Sequence, residues 1–383
     1  MPNPPITAAV LPRGKCIDPN KIPKTRVELH CHLDGSVRHE TLWELLKIKK
    51  KPLPGNGTFR SFEEALVIDQ PVNLDFFLSK FMFFVHAIEG DVAAMERVAY
   101  EFTEDAALSG LLYFETRTSP HFLWPSAIHN NADKAERMDH LRRGIRAILR
   151  GLLRGEKEFG IKGRLILSCI RLFPGWSMDV VELCDEFRHQ GVVGIDVAGV
   201  ERLPCGATNW WDSEIKLAFQ RAKELGIHRT VHAGEDGPGL NIEMSLNHLY
   251  AERIGHGYNV LDDAEIYERV RRERVHLECC PYSSILTGSV SRTVSKHPIV
   301  RFAEDNVNFS INRDDTTLTF STIQDEYNLV QEWGLTEAHI VKANWNALEA
   351  SFLPEEEKAC LRKRLERALK PACPKCHEED KTF

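Results

Sequence analysis

Short segments rich in β-branched and aromatic residues alternate along this chain with longer segments of helical periodicity. This alternation is typical of parallel strands joined by crossover helices, and it places the chain in the α/β class. The strand-like segments number about eight, which predicts a (β/α)8 TIM barrel with extra helices around its mouth. The predicted strands are 26–33, 111–119, 164–172, 192–199, 227–235, 253–258, 275–283 and 308–315. Among the segments between them, those long enough for crossover helices include 91–109, 134–159, 179–190 and 212–225.

Nothing in the sequence divides the chain into two halves. Its 383 residues are 43% hydrophobic, and no long segment rich in glycine, serine or proline interrupts them. We therefore predict a single domain over residues 25–369, with a flexible N-terminal extension, 1–24, and a flexible C-terminal tail, 370–383. The tail residues Cys373, Cys376 and His377 have the spacing of half a zinc knuckle, but no second pair of ligands accompanies them.

Charge and cysteine usage limit the expected partners and compartment. The net charge of −7 is spread over both signs, and the basic run 47–51 has no interleaved aromatic residues, so no nucleic-acid partner is expected. The longest apolar run of the N-terminal segment, 6–11, is too short for a secretory signal or a membrane span, so no membrane partner is expected. We predict a cytoplasmic monomer whose ten cysteines form no structural disulfides.

The unusual polar residues of the sequence fall at the ends of predicted strands. In a TIM barrel the carboxyl ends of all strands meet at one mouth, where such enzymes keep their catalytic groups. We therefore expect these side chains to share one site. They are His30 and His32 on the first strand, His232 and Glu235 on the fifth, His256 on the sixth, and Asp314 and Asp315 on the eighth.

Four of these residues form a candidate metal site. His30 and His32 are two positions apart, so on a strand both imidazoles point to the same side. With His232 as a third nitrogen ligand and Asp314 as an oxygen ligand, the set suits one zinc ion per chain that keeps a position for water.

Two alternatives stand beside this single-zinc interpretation. Isolated histidines are usually satisfied core or surface residues, as we expect for His121, His228 and His276. A binuclear site would need a bridging lysine or acid on the fourth strand, where Asp196 lies among apolar residues. The strand-end positions argue against isolated histidines, and a fourth strand that offers only Asp196 favours a single metal. Cobalt or iron would also fit its ligands.

The remaining strand-end residues fit the chemistry of a metal-activated water. Zinc lowers the pKa of bound water from about 15.7 to near 7, which makes hydroxide available at neutral pH. His256 would hold this water and accept its proton, while Asp314 would orient the nucleophile. Glu235 is left as the general acid, a role that requires a raised pKa in an enclosed site.

Longer stretches around these residues resemble the adenosine deaminase family, and the likeness covers almost the whole chain. It is nearer to the animal members than to distant metal-dependent barrels. Together the stretches are more specific than any single motif. They are VELHCHLDGS at 27–36, SPH at 119–121, HRTVHAGE at 228–235, GHG at 255–257, DD at 314–315 and SFLP at 351–354.

The resemblance implies hydrolysis of adenosine and 2′-deoxyadenosine to inosine and 2′-deoxyinosine, with release of ammonia, in purine metabolism. It implies that Glu235 donates a proton to purine N1 while water attacks C6, and that His256 acts on the water. The zinc ligands it implies are His30, His32, His232 and Asp314.

The same resemblance implies four substrate contacts. His32 would lie beside the substrate, and Asp34 would contact the ribose. Gly199 would give its backbone N–H to purine N3, since a glycine lets a ring approach the backbone closely. Asp315 would interact with N7.

Asp34 favours a nucleoside over the alternative substrates. Relatives that act on adenine resemble this motif with glutamate at that position, and relatives that act on nucleotides often carry asparagine. The open alternatives are an adenine deaminase, a deaminase of 6-substituted purine nucleotides, and an inactive barrel kept for binding or signalling.

Three features depart from the family pattern or leave their role open. Val200 stands where mammalian relatives commonly have an acid. Arg313 stands where threonine or serine is expected. Strand alternation should turn the Arg313 side chain away from the side used by Asp314. The apolar segment 76–84, with Phe76, Phe77, Leu78, Phe81, Phe83 and Phe84, is either a lid over the site or a helix packed into the core.

Overall fold

The computed structural model of this protein describes residues 18–125, 133–202, 211, 213–291 and 296–369. Eight parallel strands follow one another in the order of the sequence, which confirms the predicted (β/α)8 barrel. They are β1 (Arg26–His32), β2 (Leu111–Thr118), β3 (Lys162–Ile170), β4 (Val192–Ala198), β5 (His228–Ala233), β6 (Arg253–His256), β7 (His276–Cys279) and β8 (Phe309–Ile311).

The seam between β8 and β1 is closed just beyond the end of β8. The N–H of His32 donates to the carbonyl of Asp314 at 3.0 Å, and the N–H of Asp314 donates to the carbonyl of His30 at 3.2 Å. Earlier along β1, the N–H of Leu29 donates to the side-chain oxygen of Asn312 at 2.9 Å. The seam therefore ties the first and last segments of the barrel together at the residues predicted to bind metal.

Helices fill the connections between the strands, as the alternating pattern predicts. The predicted helix 134–159 is confirmed, and it packs against the helix of residues Val92–Leu108. Gly151 permits this close approach, because a Cβ atom there would lie 2.3 Å from the carbonyl oxygen of Glu96. The α-helices are His39–Ile48, Phe59–Leu66, Leu74–Ser79, Phe81–Ile88, Val92–Leu108, Lys134–Phe159, Ser177–Phe187, Glu214–Glu224, Leu240–His248, Ala264–Glu273, Pro281–Leu286, Pro298–Glu304, Thr316–Thr319, Ile323–Glu332, Glu337–Ala350 and Glu355–Leu369.

All eight strands end earlier than the sequence pattern predicts, by one to four residues. The predictions 227–235, 275–283 and 308–315 run past the observed ends of β5, β7 and β8. Left-handed backbone at Gly234, with φ of 67°, and at Asp314, with φ of 64°, breaks the extended conformation, and Pro281 begins a helix. Glu235, Asp314 and Asp315 thus lie in the turns that follow the strands, at the mouth of the barrel.

Buried ion pairs link the strands inside the barrel, and most of them join strands that are not neighbours. Arg117 on β2 lies 2.7 Å from Glu278 on β7 and 3.4 Å from Asp196 on β4. Arg253 on β6 lies 2.7 Å from Glu278 and 2.7 Å from Glu115 on β2. Since all five side chains are buried, this network forms a charged layer beneath the mouth, and the apolar core surrounds it.

The predictions about the two termini, the cysteines and membrane spans concern residues of which the structure describes only a part. Residues 1–17, together with the tail residues Cys373, Cys376 and His377, lie outside the described residues. Of the six cysteines that are described, each has a free thiol. Within the described ranges, no helix is both long enough and apolar enough to cross a membrane.

Candidate active site

The strand ends bring the predicted metal ligands together. One ligand atom from each of His30, His232, His256 and Asp314 lies within 4.8 Å of the others, and His32 forms a second such group with Asp314 and Asp315. The residues come from β1, β5 and β6 and from the turn after β8, so the barrel supplies the convergence that the sequence predicts. The two groups share the carboxylate of Asp314.

The distances between these atoms suit ligands of one small cation. His32 Nε2 lies 3.2 Å from His232 Nε2 and 3.4 Å from Asp314 Oδ1, while His30 Nε2 lies 3.3 Å from the same oxygen. His30 Nε2 and Asp314 Oδ1 are buried without a hydrogen bond of good geometry. Buried polar atoms normally have a partner, so these orphaned atoms and the three-nitrogen, one-oxygen donor set fit a catalytic zinc ion.

Two carboxylates behind the cluster orient its imidazoles. Glu278 Oε2 lies 2.7 Å from His30 Nδ1, and Asp196 Oδ1 lies 3.1 Å from His232 Nδ1. A carboxylate on Nδ1 fixes the tautomer that leaves Nε2 free for a metal. Because Asp196 is occupied by His232 and Arg117, it supports the site from behind, which disfavours the binuclear alternative.

Sequence reasoning missed the role of Glu278. The only signal was a single acid within the apolar segment 275–280, and that pattern does not reveal which residue the acid contacts.

Replacing Glu278 tests its role behind the metal site. We expect Glu278→Gln to weaken metal affinity by about 10- to 100-fold, because the amide no longer enforces the Nδ1–H tautomer of His30. Competition with a chelator would measure the affinity. Glu252→Gln is a matched control, since Glu252 makes the same 2.7 Å contact with His228 Nδ1 on a partly exposed surface. Equal affinities of the two variants would contradict the assignment.

Two of the site residues have strained backbone. His256 has φ of 63° and Asp314 has φ of 64°, in the left-handed region that non-glycine residues seldom adopt. Such strain persists when the surrounding fold over-determines it, and it concentrates at functional sites. In both residues the side chain faces the cluster, so the strained backbone positions groups that the sequence predicts to be catalytic.

Glu235 lies beside the cluster in an enclosed position. Its Oε2 is 3.6 Å from His256 Nε2, and the residue is 6% exposed. Burial, reinforced by the carboxylates of Asp314 and Asp236, raises the pKa of Glu235 well above its usual value. Burial also lowers the pKa of His256 well below its usual value. Burial thus favours the protonated form of Glu235 and the neutral form of His256, whose side chains face each other across the site.

These groups open into a cavity of about 590 Å³. Every site residue predicted from the sequence lines the cavity except His30, which lies behind it. The residues on the cavity wall are His32, Asp34, Gly199, His232, Glu235, His256, Asp314 and Asp315.

Besides Asp314 Oδ1, two carboxylate oxygens on the cavity wall lack partners. Asp34 Oδ2 accepts from Thr118 Oγ1 at 2.9 Å, while Asp34 Oδ1 is buried with no hydrogen bond. Burial raises the pKa of Asp34 to about 6. Asp315 Oδ1 is likewise buried and unpaired, and it reaches its position only because residue 35 is glycine; a Cβ atom there would lie 1.9 Å from it. Both oxygens are available to a ligand.

The apolar segment 76–84 lies partly on the cavity wall and partly in the core. Phe77, Leu78 and Phe81 line the cavity, and the Phe81 ring centroid is 6.4 Å from that of His32. Phe84 is fully buried in the core, whereas Phe76 is 48% exposed. The segment forms two short helices beside the mouth, which confirms the extra helices expected there.

The opposite wall of the cavity is aromatic, and sequence reasoning missed it. Trp176 stacks on Phe173 with a centroid distance of 4.2 Å and on His121 at 4.6 Å, and Phe122 packs edge-on against it. All four line the cavity. They come from two separate loops, so no single motif in the sequence joins them.

The structure accounts for one departure from the family pattern. Arg313 turns away from Asp314 and pairs with the buried carboxylate of Glu28, at 2.6 Å, while lying 5.7 Å from the ring of Phe102. Its guanidinium therefore contributes to the barrel seam rather than to the cavity. Val200 lines the cavity, and nothing in the structure explains the loss of an acid there.

Comparison with known proteins agrees with this geometry. The sequence profile of the family described as adenosine deaminase matches residues 23–368. The chain belongs to the adenosine deaminase family. The adenosine deaminase of Gallus gallus is 43% identical over 335 residues, covering 87% of this chain and 92% of the relative. That of Clostridium botulinum is 33% identical and covers 89% and 96%.

Solved structures of other deaminases share the fold of this adenosine deaminase family member. An Arabidopsis N6-mAMP deaminase superposes with a TM-score of 0.74 at 27% identity, covering 91% of this chain and 99% of that one. An adenine deaminase of Arthrobacter aurescens has a TM-score of 0.78 at 21% identity, covering 91% and 100%, which is a likeness of fold alone. The barrel is thus shared by deaminases whose names give different substrates.

Proposed function

We propose that this member of the adenosine deaminase family hydrolyses adenosine and 2′-deoxyadenosine to inosine and 2′-deoxyinosine, with release of ammonia. The observation that carries the proposal is the position of Glu235, a buried acid with a raised pKa that faces the same cavity as the three-nitrogen, one-oxygen donor set. Hydrolysis at purine C6 requires a proton donor beside N1 and an activated water beside the adjacent C6.

One zinc ion per chain is the proposed cofactor. Its ligands would be His30, His32, His232 and Asp314, and the orphaned His30 Nε2 and Asp314 Oδ1 atoms fit this group. When bound, zinc lowers the pKa of a coordinated water and so supplies a nucleophile at neutral pH. Glu278 and Asp196 hold the imidazoles of His30 and His232 in the orientation that this binding requires.

The protein's own groups divide the proton transfers. Glu235 donates its proton to purine N1, which makes the ring accept a nucleophile at C6. His256, whose neutral form burial favours, accepts a proton of the attacking water at Nε2 and passes it to the 6-amino group, which leaves as ammonia. The remaining proton of that water, on the C6 oxygen, then restores Glu235. The carboxylate of Asp314, whose Oδ2 accepts from Ser283 Oγ at 2.8 Å, is held in place to orient the attacking water.

Recognition of the nucleoside falls to three groups on the cavity wall. The unpaired Asp34 Oδ1 would accept a hydrogen bond from a ribose hydroxyl. Asp315 Oδ1, also unpaired, would contact purine N7. Burial and the Asp314 carboxylate raise the pKa of Asp315, which favours the protonated acid that can donate to N7. Gly199, with φ of 96°, presents backbone rather than a side chain to the base.

The walls of the cavity favour a nucleoside over a nucleotide. Among the described residues, no lysine or arginine lines the cavity, while Asp75 and Glu89 do. A phosphate would meet carboxylates without a cation to bind it. The aromatic and aliphatic walls leave the ribose and base as the groups that fit.

Initial-rate measurements on four substrates would test this preference. We expect kcat/KM for adenosine and 2′-deoxyadenosine to exceed that for AMP and for adenine by at least about a hundredfold. Adenine lacks the ribose and leaves polar groups of the protein unpaired, whereas AMP brings a phosphate charge that no cation among the described residues of the cavity wall matches. A larger kcat/KM for AMP or adenine would overturn the nucleoside assignment while leaving the deaminase chemistry in place.

A further inference from the structure

The turn that carries Glu235 encloses a buried carboxylate from the preceding strand connection. Glu201, which follows β4 and is 3% exposed, accepts hydrogen bonds from the N–H groups of Glu235 at 2.8 Å, Gly234 at 3.1 Å and Gly237 at 3.2 Å. The side-chain amide of Asn241 donates a fourth, at 2.6 Å. Successive backbone N–H groups of this kind form an anion-binding nest, and here the nest is filled from within the protein.

The contact is reciprocal and closely fitted. The N–H of Glu201 donates to Asp236 Oδ1 at 2.9 Å, so each segment holds the other. Residue 237 must be glycine, because a Cβ atom there would lie 2.6 Å from Glu201 Oε2. On the opposite side of the turn, the Glu235 carbonyl accepts from Ser289 Oγ at 2.8 Å and from Asn259 Nδ2 at 3.1 Å. The backbone of Glu235 is thereby held at both its N–H and its carbonyl.

We propose that Glu201 is a positioning residue for Glu235: its carboxylate binds the N–H groups of the turn and so fixes where the Glu235 side chain enters the cavity. This inference rests on the proposed function, in which Glu235 is the proton donor. Glu201 acts through the backbone of Glu235. An acid displaced by about 1 Å loses about a hundredfold in rate, so the effect should fall on the chemical step.

Both oxygens of Glu201 are needed as acceptors. Oε1 receives the N–H groups of Glu235 and Gly237, and Oε2 receives Gly234 and Asn241. In Glu201→Gln an NH2 group must therefore face two donors, whichever way the amide is turned. Asn241→Asp offers an acceptor to that NH2 group, but in the native protein it would place a second carboxylate against Glu201.

Asn241→Asp should therefore have opposite effects on kcat in the native protein and in Glu201→Gln, which gives a double-mutant test. We expect Glu201→Gln to lower kcat for adenosine by about 10- to 100-fold, with KM within about threefold and zinc content equal to that of the native protein. Adding Asn241→Asp should recover part of the lost kcat, whereas Asn241→Asp alone should lower kcat. If Glu201→Gln does not fold, Asn241→Asp alone still tests the contact, because it repels Glu201 without removing it.

Glu156→Gln is the matched control. Glu156 also accepts a backbone N–H, from Gly163 at 2.9 Å, but it does so at the start of β3, at the end of the barrel opposite the mouth. A kcat of folded, zinc-loaded Glu201→Gln equal to that of Glu156→Gln would overturn the positioning role. A native protein that is inactive on adenosine would instead overturn the proposed function, so the two failures are distinguishable.

Discussion

Glu235→Gln is expected to keep its zinc and to lose about 10²- to 10⁴-fold in kcat for adenosine. The amide preserves the size of the side chain but has no ionisable proton to give to purine N1. Burial raises the pKa of the native Glu235, so the native acid retains its proton where an exposed glutamate would have lost it. Turnover and zinc content should be measured on the same samples.

Glu265→Gln controls for this substitution at an exposed position in the first turn of the helix Ala264–Glu273. It should match the native protein in both rate and metal content. A Glu235→Gln protein with a near-native rate would remove Glu235 from the mechanism, and one that lost its zinc would show instead that the residue supports the metal site.

Arg117→Met is expected to lower the free energy of unfolding by about 3–5 kcal/mol. Arg117 is fully buried and lies between the carboxylates of Glu278 and Asp196, and it also donates to the carbonyl of Leu29 at 2.7 Å. Removing the cation takes a compensating charge from two buried carboxylates at once, and leaves Arg253 beside Glu278 and His232 beside Asp196. Urea titration of samples with equal zinc content would measure the change.

The surface pair of Arg150 and Glu96 provides the comparison for this prediction. These side chains lie 2.8 Å apart, but that of Arg150 is 53% exposed, so Arg150→Met should change the free energy of unfolding by less than about 1 kcal/mol. Equal effects of the two substitutions would mean that the charged layer inside the barrel does not depend on Arg117.

The barrel and the position of its site could be predicted from the sequence because two regular patterns coincide. Alternating strand and helix segments predict the parallel barrel, and the histidines and acids at the strand ends then share one mouth. His30, His232, His256 and Asp314 lie in one cluster, and His32 lies in a second one that shares Asp314 with the first. The helix 134–159 was predictable to the residue, since its amphipathic pattern is long and ends at Gly160.

The supporting residues could not be predicted in the same way. Glu278 is the single acid of its short strand, Arg117 lies two positions from Glu115 in another strand, and Glu278 and Arg117 are 161 positions apart in sequence. Glu201 makes contacts 33 to 40 residues further along the chain, through backbone groups that carry no side-chain signature. Such partners are fixed by how strands meet across the barrel, which a one-dimensional pattern does not contain.

The ends of the strands show the same limit on a smaller scale. Glu235 and Asp314 belong to apolar or alternating segments that look extended in sequence, yet left-handed backbone at Gly234 and Asp314 ends those strands early. Tertiary packing at the mouth overrides the local β-propensity there. The functional side chains occupy the turns that result.

The most direct test of this account is adenosine turnover and metal content determined on one preparation of the protein. The ultraviolet change on inosine formation would report the rate, with ammonia release measured in parallel. The account predicts rapid conversion of adenosine by protein that carries about one zinc ion per chain. Zinc-loaded protein that leaves adenosine unchanged would contradict it.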